Sequence, residues 1–224
     1  MQKRTWLVVG LIALVIVIAG VIAFASGGDD EKAPKPTAHE TGPVSVDGTV
    51  LPRYTGQGDD PAIGETIPTL EGVSFDGSPI TVGPNGKPQA IVFLSHSCPH
   101  CQEEVPLVVQ LEKTGKLAGV DVNAVATNTN PAYGSYPGPG NYPPSAWLKR
   151  EHWPYPVLAD SEKFTALVAY GLTAFPYFVF VDADGKVVGR ATGEIPANTL
   201  VEIFKALATG EALPLAGGAS TTAN

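Results

Sequence analysis

Two cysteines, one methionine and four histidines in 224 residues leave little material for thiolate or imidazole chemistry. Two thiols cannot build the disulfide framework of a secreted scaffold, and they cannot supply a four-thiolate zinc site. Basic residues are also scarce. With 14 Lys and Arg against 22 Asp and Glu, the net charge is -8, so there is no basic excess to neutralise phosphates and nucleic acid is not an expected partner. The glycines show no period of three, and the 44% hydrophobic content is near the ordinary ~45–50%, which excludes a collagen-like or wholly disordered chain. No internal repeat is visible. The length suits one domain with extensions, and whatever the two cysteines do, they do as a pair.

Charge is absent altogether from residues 6–25, WLVVGLIALVIVIAGVIAFA. Twenty residues at about 1.5 Å rise match a hydrocarbon core of about 30 Å, so this run is long enough to span a bilayer. Lys3 and Arg4 precede it while Asp29, Asp30 and Glu31 follow it. The basic side stays in the cytoplasm, which puts the rest of the chain outside. Residues 1–25 are therefore expected to be an N-terminal transmembrane signal anchor, in contact with the lipid bilayer through residues 6–25. A cleaved signal peptide is the alternative, with Ala23-Phe24-Ala25 as a small-residue site, although the run is long for a signal core. A lipoprotein is excluded because no cysteine directly follows the run.

Residues 26–62 are rich in Gly, Pro and acids and read as an extracytoplasmic linker, within which VSVDGTVLPRY has the texture of a short edge strand. His39 falls in this linker as a solvated side chain. From Ile63 short apolar runs alternate with turn signals. Asp76-Gly77 and Asp184-Gly185 each separate two strand-like stretches, as in hairpins. AIVFL, residues 90–94, reads as a buried strand, followed by a helix over 98–113 and a second strand in GVDVNAVAT, which together form a βαβ unit. Residues 128–144 read as a long loop carrying Tyr133, Tyr136 and Tyr142. Beyond it come a short helix in SAWLKREHW, a strand in PVLAD, a helix in SEKFTALVAYG ending at Gly171, and an amphipathic helix over 196–208. The folded domain is expected at 63–209, with a frayed tail over 210–224. This order predicts an α/β architecture with a mixed sheet and helices on both faces, preceded by one transmembrane helix.

The cysteines lie in HSCPHCQEEVP, directly after the buried strand. A structural staple explains this spacing poorly, since closing a four-residue ring stabilises a fold by only about 2 kcal/mol. Redox chemistry explains it well. Unpaired N–H groups and the positive dipole end of a helix favour a thiolate at its first turn. Cys98, at the cap, is expected to be the exposed attacking thiol, and Cys101, one turn further in, resolves the mixed disulfide. Pro99 favours the helix start, and His100, if protonated, adds positive charge beside the thiolate. His96, Cys98, His100 and Cys101 are all zinc-ligand types, but four ligands within six residues cannot readily surround one tetrahedral ion, so neither a metal nor any cofactor is expected.

The strand, the CPHC helix with Pro106 following, and the later Phe-Pro before VFVDADGKVVGR resemble thioredoxin-fold disulfide oxidoreductases. More narrowly, CPHCQEEVP resembles the CxxCxxExP pattern of the membrane-anchored TlpA- and ResA-like branch, as do GETIPTLEGVSFDGSPITV and AYGLTAFPYFVFVDADGKVVGRATG. The resemblance covers residues 63–208 and implies a thioredoxin-like fold. It also implies a cis-proline at Pro176, with the backbone of Phe175 presented to a substrate chain, and a tuning role for Glu104, which is otherwise a solvated helix residue. The chain departs from the pattern at Ser97, where an aromatic is common, and at Val92, where cytoplasmic thioredoxins bury an acid. CPHC itself is the dipeptide choice of DsbA-type oxidants, so reductase and oxidant directions both stay open. Implied partners are cysteine-containing exported proteins and a membrane or extracytoplasmic electron-exchange partner. A thiol peroxidase that recruits Ser95 and a metal-delivery module are the remaining alternatives.

Overall fold

The computed structural model describes residues 40–129 and 141–215. The apolar run 6–25, His39, Tyr133, Tyr136 and the end of the tail lie outside the described residues, among which no helix is long and apolar enough to cross a membrane.

The chain runs through β1 (Ser45–Asp47), β2 (Thr69–Val73), β3 (Pro79–Val82), β4 (Gln89–Leu94), α1 (Pro99–Lys113), β5 (Asp121–Ala126), α2 (Pro144–Arg150), β6 (Val157–Ala159), α3 (Thr165–Ala169), β7 (Tyr177–Val181), β8 (Val187–Thr192) and α4 (Ala197–Thr209). β1, β2 and β3 form a small antiparallel sheet, and five strands form the main sheet in the order β6-β5-β4-β7-β8. β4 pairs in parallel with β5, and β5 with β6, whereas β7 and β8 join antiparallel. The expected mixed sheet is thus present, with both anticipated hairpins.

β4 is the middle strand, and all six of its residues are buried. Side chains alternate across a strand, so Val92 and Leu94 face one core and Ile91 and Phe93 the other. The first core is closed by Val105 and Val108 of α1, Trp147 of α2, and Leu200, Ile203 and Phe204 of α4. The second is closed by Ala166 and Ala169 of α3, by Leu70 and Val82 of the small sheet, and by Leu51 and Tyr54.

Leu51 and Tyr54 require a correction. The short edge strand expected in VSVDGTVLPRY is present as β1, paired with β2, but the linker expected over 26–62 is otherwise part of the folded body from residue 40 onward, with Leu51, Tyr54 and Ala62 buried. Polar groups hold this segment as firmly as apolar ones. The Leu51 N–H donates to the Ala169 carbonyl at 2.8 Å and the Tyr54 N–H to the Gly171 carbonyl at 2.9 Å. Arg190, 3% exposed, donates from Nε to Asp60 at 2.7 Å, pairs a second time with the same carboxylate, and lies 5.1 Å from the Tyr54 ring centroid. A Cβ on Gly171 would come within 2.3 Å of the Pro52 carbonyl oxygen, and its φ is 68°, so glycine is required there twice over.

Two further boundaries move. The helix expected from Ser161 is only α3, because Phe164 turns left-handed at φ 58° and the Asp160 carboxylate accepts the N–H groups of Ser161, Ala166 and Leu167 in place of a longer helix. The tail expected to fray from 210 stays on the body through Leu213 and Leu215, which pack over Gly189 where any Cβ would meet them at 2.8 and 2.6 Å.

Candidate active site

β4 delivers the chain to the cysteine pair. Ser95 and His96 remain buried past its end, Cys98 is the N-cap of α1 with extended backbone (φ -85°, ψ 119°), and Pro99 takes the first helical position. Proline fits there because its missing N–H would have had no helical partner. The next N–H groups, of His100 and Cys101, have no acceptor of their own in the first turn, and both help to lower the Cys98 pKa. No side-chain hydrogen bond caps the helix at Cys98.

The two thiols, both free, sit in opposite surroundings. Cys98 is partly exposed, and its pKa is lowered to about 6, first by the hydrogen bond from the Cys101 thiol, then by the two backbone N–H groups and by His100. Cys101 is 0% exposed, and burial together with the neighbouring thiolate pushes its pKa well up. The Ser95 N–H donates to the Cys101 sulfur at 3.5 Å. These surroundings favour a thiolate at Cys98 and a thiol at Cys101 near neutral pH.

The loop before β7 closes the site from the other side. The Phe175-Pro176 peptide is cis, and the Phe175 carbonyl oxygen lies 3.7 Å from the Cys98 sulfur. The structure thus brings together Cys98, Cys101, Pro99, His100, Phe175 and Pro176. Glu104 belongs to the same constellation. It is 1% exposed, which rules out the solvated alternative; burial pushes its pKa up to about 8, and it accepts the Ile195 N–H at 3.1 Å.

Residues 193–195 were not identifiable from their sequence, ATGEIP. The Gly193 N–H donates to the Pro176 carbonyl at 2.9 Å, Glu194 meets His100 Nδ1 at 2.6 Å, and the Ile195 N–H holds Glu104. Nothing local marks Glu194, which stands 94 residues from its partner. His96 is 2% exposed; its ring meets that of Tyr142 edge-on at 5.5 Å, and burial pushes its pKa down. Among the described residues no group of three or more His, Cys, Asp or Glu is placed to hold a metal ion.

Comparisons with known proteins agree with this geometry. The methylamine utilization protein MauD of Methylobacillus flagellatus is 31% identical over 133 residues, covering 58% of this chain and 57% of MauD. The chloroplastic thioredoxin-like protein HCF164 of Arabidopsis thaliana is 27% identical, over 57% of this chain and 36% of its own length. The chain therefore matches little more than half of the first relative and about a third of the second. The crystal structure of a thiol:disulfide interchange protein of the thioredoxin family from Chlorobium tepidum superposes with a TM-score of 0.51 at 25% identity, over 65% of this chain and 97% of that one. The Redoxin family model matches residues 62–207, from the end of the buried strap to the last helix. With that match over more than half of its length, the chain belongs to the Redoxin family, and it has the thioredoxin-like fold.

Proposed function

We propose that the protein is a membrane-tethered, extracytoplasmic thiol-disulfide oxidoreductase that reduces disulfides of exported proteins. The observation that carries this is the asymmetry of the pair: an accessible Cys98 with a pKa of about 6 beside a buried Cys101 whose proton is held. The Cys98 thiolate attacks one sulfur of a substrate disulfide, forming a mixed disulfide and releasing the other substrate sulfur as a thiolate that takes up a proton. Cys101 then loses its proton and attacks Cys98, releasing the second substrate thiol and leaving a Cys98-Cys101 disulfide. Two electrons have passed to the substrate, and a dithiol electron-exchange partner restores the enzyme. Glu104, buried in α1 and electrostatically coupled to Cys101, tunes the second step. The backbone of residue 175 receives the substrate chain beside Cys98.

Placement outside the membrane rests on the uncharged run 6–25 with Lys3 and Arg4 before it and the acids after it. The reverse direction, disulfide formation, is favoured by one observation: the Cys98 pKa of about 6 lies below the ~7 of thioredoxin, toward the ~3.5 of DsbA. The reduction potential decides between them. A value near about -270 mV supports the reductase and one near about -120 mV the oxidant. The mechanism requires that Cys98→Ser abolish exchange and that Cys101→Ser accumulate a mixed disulfide with a model substrate; exchange by Cys98→Ser rejects it. Recovery of the chain in the membrane fraction, with its C-terminal part open to external protease in intact cells, checks the location.

A further inference from the structure

Gly193, Glu194 and Ile195 follow β8 as one short segment, and each bonds to a different part of the active site. Gly193 holds the Pro176 carbonyl, Glu194 meets His100, and Ile195 holds Glu104. The backbone of Glu194 is thus pinned on both sides by contacts that do not involve its own side chain. A contact between two half-exposed side chains, 56% and 43% for His100 and Glu194, stabilises a fold by at most about 1 kcal/mol. Holding the loop is not what the carboxylate is needed for.

Its placement beside the redox pair points elsewhere. His100 sits between the two cysteines in sequence and contributes to the charge at Cys98, while Glu194 reaches its Nδ1 from the opposite element. We propose that Glu194 is a positioning residue for the exchange reaction: it fixes the His100 ring against the head of α1 and keeps it cationic, so that the Cys98 thiolate, and with it the reduced form of the enzyme, is favoured. This rests on the exchange activity proposed above. Among the described residues, the charged and titratable groups that act on His100 are Cys98, at the head of α1, and Glu194; Glu104, buried further along α1, feels Glu194 as well. Glu194 accordingly raises the pKa of His100.

The sign of the effect separates this role from a plain negative charge near the thiolate. Removing a mere negative charge makes Cys98 more acidic and the disulfide easier to reduce. Removing the positioning group does the reverse. In the full-length protein, Glu194→Gln is expected to move the His100 imidazole titration, followed by NMR, down toward about 6.5. It is also expected to move the Cys98 thiolate absorbance midpoint up, and to make the disulfide about threefold harder to reduce against glutathione at neutral pH, about 14 mV more negative. Glu194→Asp restores most of the change, and Glu194→Gln has no added effect in a His100→Gln background. The difference from wild type disappears at a pH high enough to neutralise His100 in both proteins. A potential that rises or stays put, or an equal shift in the His100→Gln background, overturns the proposal while leaving the exchange reaction intact. Wild-type protein that exchanges no disulfide overturns the underlying function instead, and this role with it.

Discussion

The sulfur of Cys98 and the carbonyl oxygen of Phe175 lie 3.7 Å apart, although 77 residues separate them in the chain. That contact defines a mouth with one reactive atom on a helix cap and the backbone just before β7 facing it. In the proposed exchange, a substrate peptide that lies along this backbone meets the sulfur in a single approach.

Only one of the two thiols should be reactive in the native protein, with a pH profile of its own. Because its folded pKa is lowered to about 6, Cys98 is thiolate throughout the neutral range. Its alkylation by iodoacetamide is expected to rise through a midpoint near pH 6 and then level off. Cys101 is labelled only after denaturation. Mass spectrometry of quenched samples checks both points; a midpoint near the ordinary ~8.5 contradicts the proposed stabilisation of the thiolate.

Glu104 should make the protein less stable as the medium becomes more alkaline. Its folded pKa of about 8 lies above the ~4.3 of an unfolded glutamate, so the native state keeps a proton that the unfolded chain releases. Stability falls as pH climbs from about 4.3 to about 8 and is flat beyond, by an amount on the order of a few kcal/mol. Glu104→Gln still accepts the Ile195 N–H but has no proton to lose. Urea unfolding at pH 5 and pH 8 should show wild type losing stability between the two while the variant does not; parallel behaviour of the two proteins refutes the assignment.

Breaking the Arg190–Asp60 pair should cost far more than a surface ion pair. Both side chains are nearly inaccessible, at 0% and 8%, and Asp60→Asn leaves a guanidinium uncompensated in the interior. The expected loss is about 3 kcal/mol, at the low end for such pairs because the Pro52 carbonyl and the Tyr177 hydroxyl still accept from Arg190. Amide hydrogen exchange should localise the damage to Leu51 and Tyr54, whose N–H groups join this strap to the segment before Phe175.

What could be read from the sequence was what is encoded locally. The run AIVFL, the hairpin glycines and the CPHC spacing each carry their structural meaning within a few residues, and β4, both hairpins and the helix-capping cysteine followed from them. Pro176 in cis came only through family resemblance, since nothing around Phe175 dictates it. Residues 40–62 have the composition of a linker, and beyond the edge strand legible in VSVDGTVLPRY their order depends on partners more than a hundred residues away: Arg190 for Asp60 and Gly171 for Tyr54. Glu104 carries no sign of its burial, and Glu194 looks like any loop acid until β8 places it beside His100. α3 is short for a similar reason. Its apolar pattern permits a longer helix, and Asp160 overrides it.

Glu40 bonds both the backbone and the hydroxyl of Ser145, and β1 follows within a few residues, clipped to β2. For a chain held by its N-terminal end this arrangement has a mechanical consequence. Tension would load the Glu40–Ser145 clip and then the Ser45 to Asp47 ladder in shear, and the buried strap at Tyr54 and Asp60 only after those had given way. Elements that resist first would spare the Cys98–Phe175 contact, so a pull applied at the N-terminal end would leave the spacing of the two groups undisturbed.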